Sequence, residues 1–395
     1  MSRVLAACAC AILLGAGCAE LRAPAGRAAP CPPCACPQCP PEKPSPAEAR
    51  FEPAAFASLP GWADAAHGAS LDAFLAGCPR IGAQSALRSA CNAAGAVPPG
   101  DSQAARRFFE EQFAAWAVIA AEGAEGLVTG YYEPVLAGSR ARSDAFRYPV
   151  HGVPEDLLVV DLAALHPDVR HLRLRGRIEG RRVVPYWSRA EIERKGGELA
   201  APVLAWVADP VELFFLQIQG SGQIELGSGE RIRLGYAEQN GHPYRSLGRH
   251  LVDQGELKLE QASMQGIKAW AAANPEKLRE ALNANASYVF FRDLPASGGP
   301  IGSLGAPLSA GYSLAVDARF IPLGAPVYLV TTWPLASQPL ERLMAAQDTG
   351  GAIRGALRAD FFWGTGPEAA AQAGRMRQPG RMWLLWPRGA TPPRP

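Results

Sequence analysis

Three aspartates near the C-terminus stand where a carboxylate is hard to read as surface charge: Asp317 in LAVDARFIPLG, Asp348 in AQDTGG and Asp360 in RADFFWG. Asp317 and Asp348 fall inside strand-like apolar runs, where aspartate is depleted. A carboxylate that cannot face water must be paired, hydrogen-bonded or kept protonated. Asp360 is followed by Phe361, Phe362 and Trp363, neighbours that would raise its pKa toward the range a general acid needs near neutral pH. Gly350 and Gly351, just after Asp348, would let backbone approach a ligand closely. The competing reading is structural, with the three carboxylates accepting backbone N–H groups at the turns of a small barrel.

Other chemistries lack their residues. There is no G-x-S-x-G elbow, Walker loop, dinucleotide fingerprint or H-E-x-x-H. His67, His151, His166, His171, His242 and His250 are scattered without metal-ligand spacing, which disfavours a metal site or a histidine-based triad. GSGERIRLG is glycine-rich but lies between strand-like runs, so it makes a poor phosphate cradle. Net charge is +2, too small a field to gather nucleic acid. The expectation is an enzyme with no cofactor, no metal and a near-neutral substrate.

The elements that would position these residues are short. With 41 Gly and 36 Pro in 395 residues, the chain has room for two domains but not for long helical bundles. From Phe51 to about Gly126 the pattern is helical; in DSQAARRFFEEQFAAWAVIAAEG a cap at Asp101 or Ser102 precedes Phe109, Phe113, Trp116 and Ala120 at helical spacing, a core stripe. A second unit starts near Tyr131, carrying a helix capped by Ser188. The run from PVELFFLQIQ to YRSLG reads as short strands with glycine turns, followed by helices in SMQGIKAW and beyond. The C-terminal strand-like runs, interrupted by one short helix at GPEAAAQAGR, argue for a small closed barrel.

The N-terminus, MSRVLAACACAILLGAGC, has the pattern of a secretory signal, and small residues before Cys18 are those of a lipoprotein cleavage site, although Gly15 stands where Leu is usual. Cys18 is therefore the expected lipidation site. A Pro-rich tether follows, over residues 19–50. Its Cys31, Cys34, Cys36 and Cys39 are interleaved with prolines and have no nearby histidine, so disulfides are expected there rather than zinc. Cys78 and Cys91 are spaced to close a small loop, one of several pairings the cysteines leave open.

TGYYEPVLAGSR, QIQGSGQIEL, YAEQNGHPYRSLG, SMQGIKAW and the three-aspartate tail resemble the membrane-bound lytic transglycosylase A family over about Leu127 to Trp386. The resemblance implies a mainly β fold with helices. A double-psi β-barrel would comprise residues 51–130 with its N-terminal helices and 292–390, and a β-rich domain, 131–291, would be inserted in it. It also implies cleavage of the β-1,4 bond between N-acetylmuramic acid and N-acetylglucosamine, leaving a 1,6-anhydromuramyl end. By this resemblance Asp360 matches the single acid/base, Asp348 its supporting partner and Asp317 a structural or groove residue.

One carboxylate suffices for such a reaction. Hydrolytic glycosidases need a second to serve as nucleophile or to activate water, whereas an internal hydroxyl nucleophile supplies proximity by itself. A glycan strand needs aromatic faces and hydrogen-bonding partners, for which Tyr131, Tyr132, Trp187, Gln217, Gln219, Ser221, Asn240 and Tyr244 are candidates beside Gly350, Gly351 and Asp317. The expected location is the bacterial outer membrane, lipid-anchored and facing the periplasm, with peptidoglycan as partner and room for partners in a wall-synthesis complex. Two alternatives stand beside it: an inverting hydrolase using Asp348 or Asp317 as base, and a non-catalytic wall-binding tether.

Overall fold

The computed structural model describes residues 49–162, 164–166, 174–295, 299–334 and 336–393. The signal, Cys18, the four tether cysteines and His171 lie outside the described residues.

The chain first forms β1 (Arg50–Ala54), α1 (His67–Gly77), α2 (Arg88–Ala94), α3 (Ser102–Gln112), β2 (Phe113–Ile119) and β3 (Gly126–Glu133). A second stretch carries β4 (Val135–Ser139), β5 (Tyr148–His151), β6 (Leu158–Val159), β7 (Arg175–Glu179), β8 (Arg182–Pro185), α4 (Arg189–Lys195) and β9 (Val203–Val207). It continues through α5 (Pro210–Gln219), β10 (Ser221–Leu226), β11 (Arg231–Gln239), α6 (Leu247–Asp253), α7 (Met264–Ala273), α8 (Pro275–Asn283) and β12 (Val289–Leu294). The C-terminal stretch holds β13 (Ser313–Val316), β14 (Pro326–Thr332), β15 (Pro339–Asp348), β16 (Arg358–Thr365), α9 (Pro367–Ala373) and β17 (Arg377–Pro387).

Strands β3, β16, β13, β15, β14 and β17 neighbour one another in that order, and β17 bonds back to β3 through Arg377–Gly380, closing a six-stranded ring. Two of its pairings, β13–β15 and β16–β3, are parallel and the rest antiparallel. Closure removes the exposed edges an open sheet would present. Inside the ring Leu314, Val316, Val327, Leu329, Ala359, Phe361 and Leu384 are fully buried, and α1 to α3 extend the same core through Phe74, Phe108 and Phe109. Burying a side chain such as Phe361 is worth roughly 2–3 kcal/mol.

The second stretch builds its own sheet, in the order β12-β11-β10-β4-β9-β5, with a small three-stranded sheet β6-β7-β8 beside it. Its main core, around Leu136, Val150, Leu216, Ile224, Leu234 and Phe291, is separate from that of the barrel. Backbone passes from barrel to second sheet at Pro134, and the last strand of that sheet ends at Leu294. Tyr131 and Tyr132, assigned by sequence to the second unit, therefore sit on a barrel strand.

Two sequence expectations are corrected. Asp101 does cap a helix, accepting from the Ala104 N–H at 2.8 Å, but the helix stops at Gln112 and Phe113–Ile119 is a strand. Pairing with β1 and β17 on both sides outweighs the helical propensity of its alanines. The second correction concerns PVELFFLQIQ, which is a helix rather than a strand. Its signals are local: Asp209 accepts from the Val211 and Glu212 N–H groups, Pro210 opens the helix, and Gly220 ends it at φ 76°. Ser188 takes the cap position of α4, with Glu191 returning to its N–H. Cys78 and Cys91 form a disulfide.

Candidate functional site

Four neighbouring strands assemble the carboxylates. Parallel pairing sets Asp360 on β16 beside Thr129 on β3, and antiparallel pairing sets it beside Ala315 on β13. Ala315 in turn lies beside Asp348 at the end of β15. Across the barrel wall the order is Thr129, Asp360, Ala315, Asp348, so the two aspartates stand two strand spacings apart, about 10 Å at the backbone. Ala359 and Phe361 belong to the barrel core, and strand alternation turns Asp360 to the opposite face. Tyr131, two residues beyond Thr129, shares that face, its ring 5.1 Å from that of Phe362.

Asp360 is held by one chain of donors. Thr129 Oγ1 donates to Asp360 Oδ1 at 2.5 Å and accepts from Arg358 Nη2 at 2.8 Å. The Arg358 bond occupies the threonine oxygen as acceptor and so fixes its hydrogen on the carboxylate. Burial, the largest influence, pushes the Asp360 carboxyl up to about 6. The Thr129 bond and the Arg358 charge pull it down, and the Asp348 charge pushes it up. At neutral pH a useful fraction of Asp360 thus carries a proton, and its conjugate base is strong enough to take one back.

Asp348 is positioned differently. Its Oδ1 accepts from Ser303 N, Ser303 Oγ and Thr349 N, each at 2.9 Å. Burial raises its pKa, and these bonds oppose the rise. The Tyr131 hydroxyl is buried with no partner of ordinary hydrogen-bond geometry. Burial, followed by the nearby Asp348 and Asp360 charges, raises that phenol well above its usual value, so it stays neutral.

Asp317 belongs elsewhere. Its carboxylate takes a forked contact from Arg319 Nε and Nη2, and accepts the Gly355 N–H at 2.8 Å. Burial would raise its pKa, but the Arg319 and Gly355 bonds outweigh it and hold the group below the usual range. It ties the end of β13 to the loop before β16 as a permanent anion.

The expected sugar-binding residues divide. Gln219 Oε1 accepts the Tyr132 N–H at 3.3 Å, linking the end of α5 to the barrel strand that bears Tyr131. Ser221 follows at the start of β10, and Tyr244 is exposed. Gly351 is exposed with open space around it, whereas a side chain on Gly350 would meet Ile353 at 2.8 Å. Others are engaged internally. Tyr132 turns its hydroxyl to Met264 Sδ and packs under α9. Asn240 is buried, donating to the Trp187 and Ala286 carbonyls and accepting the Tyr288 N–H. Gln217 is buried next to Tyr288, and the Trp187 ring carries the Arg177 guanidinium at 3.5 Å and the Lys195 ammonium at 4.4 Å. Asn240, Gln217 and Trp187 support the second domain, and Tyr132 packs barrel strand β3 against α9.

Thr129, Arg358 and Ser303 were not singled out from the sequence. A threonine inside a strand and an arginine two residues before an aspartate carry little signal until strand register brings them together.

Replacing Asp348 by Asn leaves the Ser303 and Thr349 bonds an acceptor but deletes a charge that raises the Asp360 pKa. The alkaline limb of the pH–rate profile is expected to move to lower pH, with activity reduced more at pH 7 than at pH 5. An unmoved limb, measured on peptidoglycan across pH 4–9, would dissociate the two carboxylates.

Residues 127–292 match the family described as the MltA specific insert domain, and residues 312–386 match the 3D domain. The chain is 35% identical over 298 residues to membrane-bound lytic murein transglycosylase A of Escherichia coli strain K12, covering 72% of each. It is 31% identical over 269 residues to the protein of that name from Vibrio cholerae, covering 66% of this chain and 65% of that one. A crystal structure of MltA from Neisseria gonorrhoeae superposes with a TM-score of 0.79 at 42% identity, covering 88% of this chain and 95% of that one. The structure of E. coli MltA with bound chitohexaose gives 0.64 at 29% identity, with coverage of 88% and 95%.

Proposed function

The chain belongs to the MltA family of lytic murein transglycosylases, which act on peptidoglycan, and from that premise we propose that it cleaves the N-acetylmuramic acid–β-1,4–N-acetylglucosamine bond without water, Asp360 alone moving the proton. The observation that carries this reading is the Asp360 carboxyl itself, half-buried, bound to Thr129 and raised to about 6. Protonated, it donates to the glycosidic oxygen as the C1–O bond breaks. As carboxylate it then takes the proton of the muramyl C6 hydroxyl, whose oxygen closes on C1 to form the 1,6-anhydro ring. Acid and base are the same group in turn, and the nucleophile is already part of the substrate.

The remaining aspartates fit this division of work. Asp317 is bound up with Arg319 and Gly355, which argues against its serving as base for water. Asp348 and the neutral Tyr131 phenol flank the acid and tune or position it. Tyr131, half-buried beside Asp360 and backed by the buried Phe362 ring, is the aromatic face we propose for a sugar. Gln219, Ser221, Tyr244, Gly350 and Gly351 are the further contacts we propose for the glycan. The chitohexaose bound to the related E. coli protein is an oligosaccharide with the same kind of linkage.

Curated relatives are called membrane-bound, and no described helix of this chain is long and apolar enough to cross a membrane. We propose that attachment is through a lipid on Cys18, at the outer membrane. Cys18→Ala followed by membrane fractionation in high salt, which removes electrostatic attachment of the body, checks it: the protein is expected to leave the membrane fraction, and full retention there excludes the anchor.

Mass spectrometry of muropeptides released from purified peptidoglycan tests the reaction. Anhydromuramyl ends are expected. Free reducing ends would instead require water and a second carboxylate, making this a hydrolase.

A further inference from the structure

The small sheet β6-β7-β8 ends in a hairpin that the catalytic reading does not use. Ile178 and Val183 are direct cross-strand partners, 67% and 59% exposed, and Val159 on β6 is 60% exposed. None of the three packs into a hydrophobic cluster. The two-residue turn between β7 and β8 is Gly180-Arg181, with Gly180 at φ 60°, as such tight hairpins require. Arg181 and Arg182 are exposed and meet no carboxylate among the described residues. The one acid at the tip, Glu179, is occupied by Arg177 at 3.3 Å. Among the described residues the tip therefore presents two guanidinium groups without a carboxylate partner beside an exposed aliphatic pair.

We propose that this hairpin tip docks on an anionic phospholipid surface, with Arg181 and Arg182 on the lipid phosphates and Ile178 and Val183 in the headgroup layer. The charge is complementary, and aliphatic residues beside arginine are the composition of an interfacial contact. A protein partner would be met by an interface rich in Tyr, Trp or Phe, which the exposed tip lacks. Such a contact would also set the orientation of the body on the surface.

The test is co-sedimentation of the full chain carrying Cys18→Ala with vesicles of phosphatidylcholine alone or with phosphatidylglycerol added, at low and physiological salt. A contribution of the N-terminus adds equally to every variant, and it is read from the chain carrying all four hairpin substitutions and subtracted. Each basic residue near an anionic surface is worth about fivefold in partitioning, so Arg181→Ser/Arg182→Ser is expected to weaken binding to the anionic vesicles about 25-fold. Ile178→Thr/Val183→Thr, which keeps β-propensity, is expected to weaken it severalfold, with peptidoglycan cleavage in solution unchanged in both variants. Equal binding by parent and variants, or no preference for the anionic lipid, overturns the proposal. Loss on the arginine change with no effect of the threonine change points to a soluble polyanion and also overturns it.

Discussion

Asp360→Asn is expected to lower the rate of anhydromuramyl product formation by about 10³- to 10⁴-fold, the upper part of the range for removing a general acid or base. The effect is large because one group serves both proton transfers, so nothing remains to perform either. The parent's rate should fall as pH rises through about 6, because the free enzyme must hold Asp360 protonated to begin. The variant's residual rate should lack that limb.

Stability separates this from unfolding. The Asp360 pKa is raised in the folded state, from an ordinary 3.8 to about 6. The folded protein therefore binds the proton more tightly, and this stabilisation is complete below about pH 4 and lost as pH rises through 6. Above that the buried carboxylate costs up to about 3 kcal/mol, which Asn does not incur. Thermal unfolding should thus show Asp360→Asn more stable than the parent at pH 8, with the difference closing at pH 4. A variant that is both inactive and destabilised at pH 8 would place Asp360 among the structural carboxylates.

What the sequence made legible follows from where the signals are local. Asp360 stands out because three aromatic residues follow it directly, and the structure keeps it half-buried on a barrel strand. A closed barrel was readable from strand-like runs between glycines. Its closure through Arg377–Gly380 and Gly126–Thr129 joins segments some 250 residues apart, beyond any local pattern. For the same reason Thr129 escaped notice: its importance comes from register with Asp360. Trp187 and Asn240 show the opposite failure. Their residue types suit sugar binding, but stacked cations and backbone carbonyls already use them, which composition cannot reveal. Helix α5 was misread although Asp209, Pro210 and Gly220 marked its ends, because a short apolar run between glycines reads equally well as a strand.

Glu133→Ala is expected to lower the unfolding free energy by about 3–5 kcal/mol, as loss of one partner in a buried ion pair does. Glu133 and Arg233 are 1% and 5% exposed and 3.8 Å apart. They span the two places where the chain passes between its sheets: Glu133 is the last residue of β3, and Arg233 Nη1 also donates to the Pro295 carbonyl just after β12. Glu133 Oε2 in addition accepts from Gln223 on β10 and Thr365 on β16, each at 2.8 Å. One carboxylate thereby bonds a strand of each sheet. Truncating it removes the carboxylate that faces the buried Arg233 guanidinium, and the cost should appear as a lower midpoint in urea denaturation. Glu133→Leu/Arg233→Met, which removes both charges at similar volume, should recover most of that loss. If the glycan lies against both sheets, Glu133→Ala at temperatures where it stays folded should raise KM more than it lowers kcat, because Asp360, Thr129 and Arg358 all lie on the barrel. Stability unchanged by the single substitution would mean that the two sheets are joined by apolar packing alone.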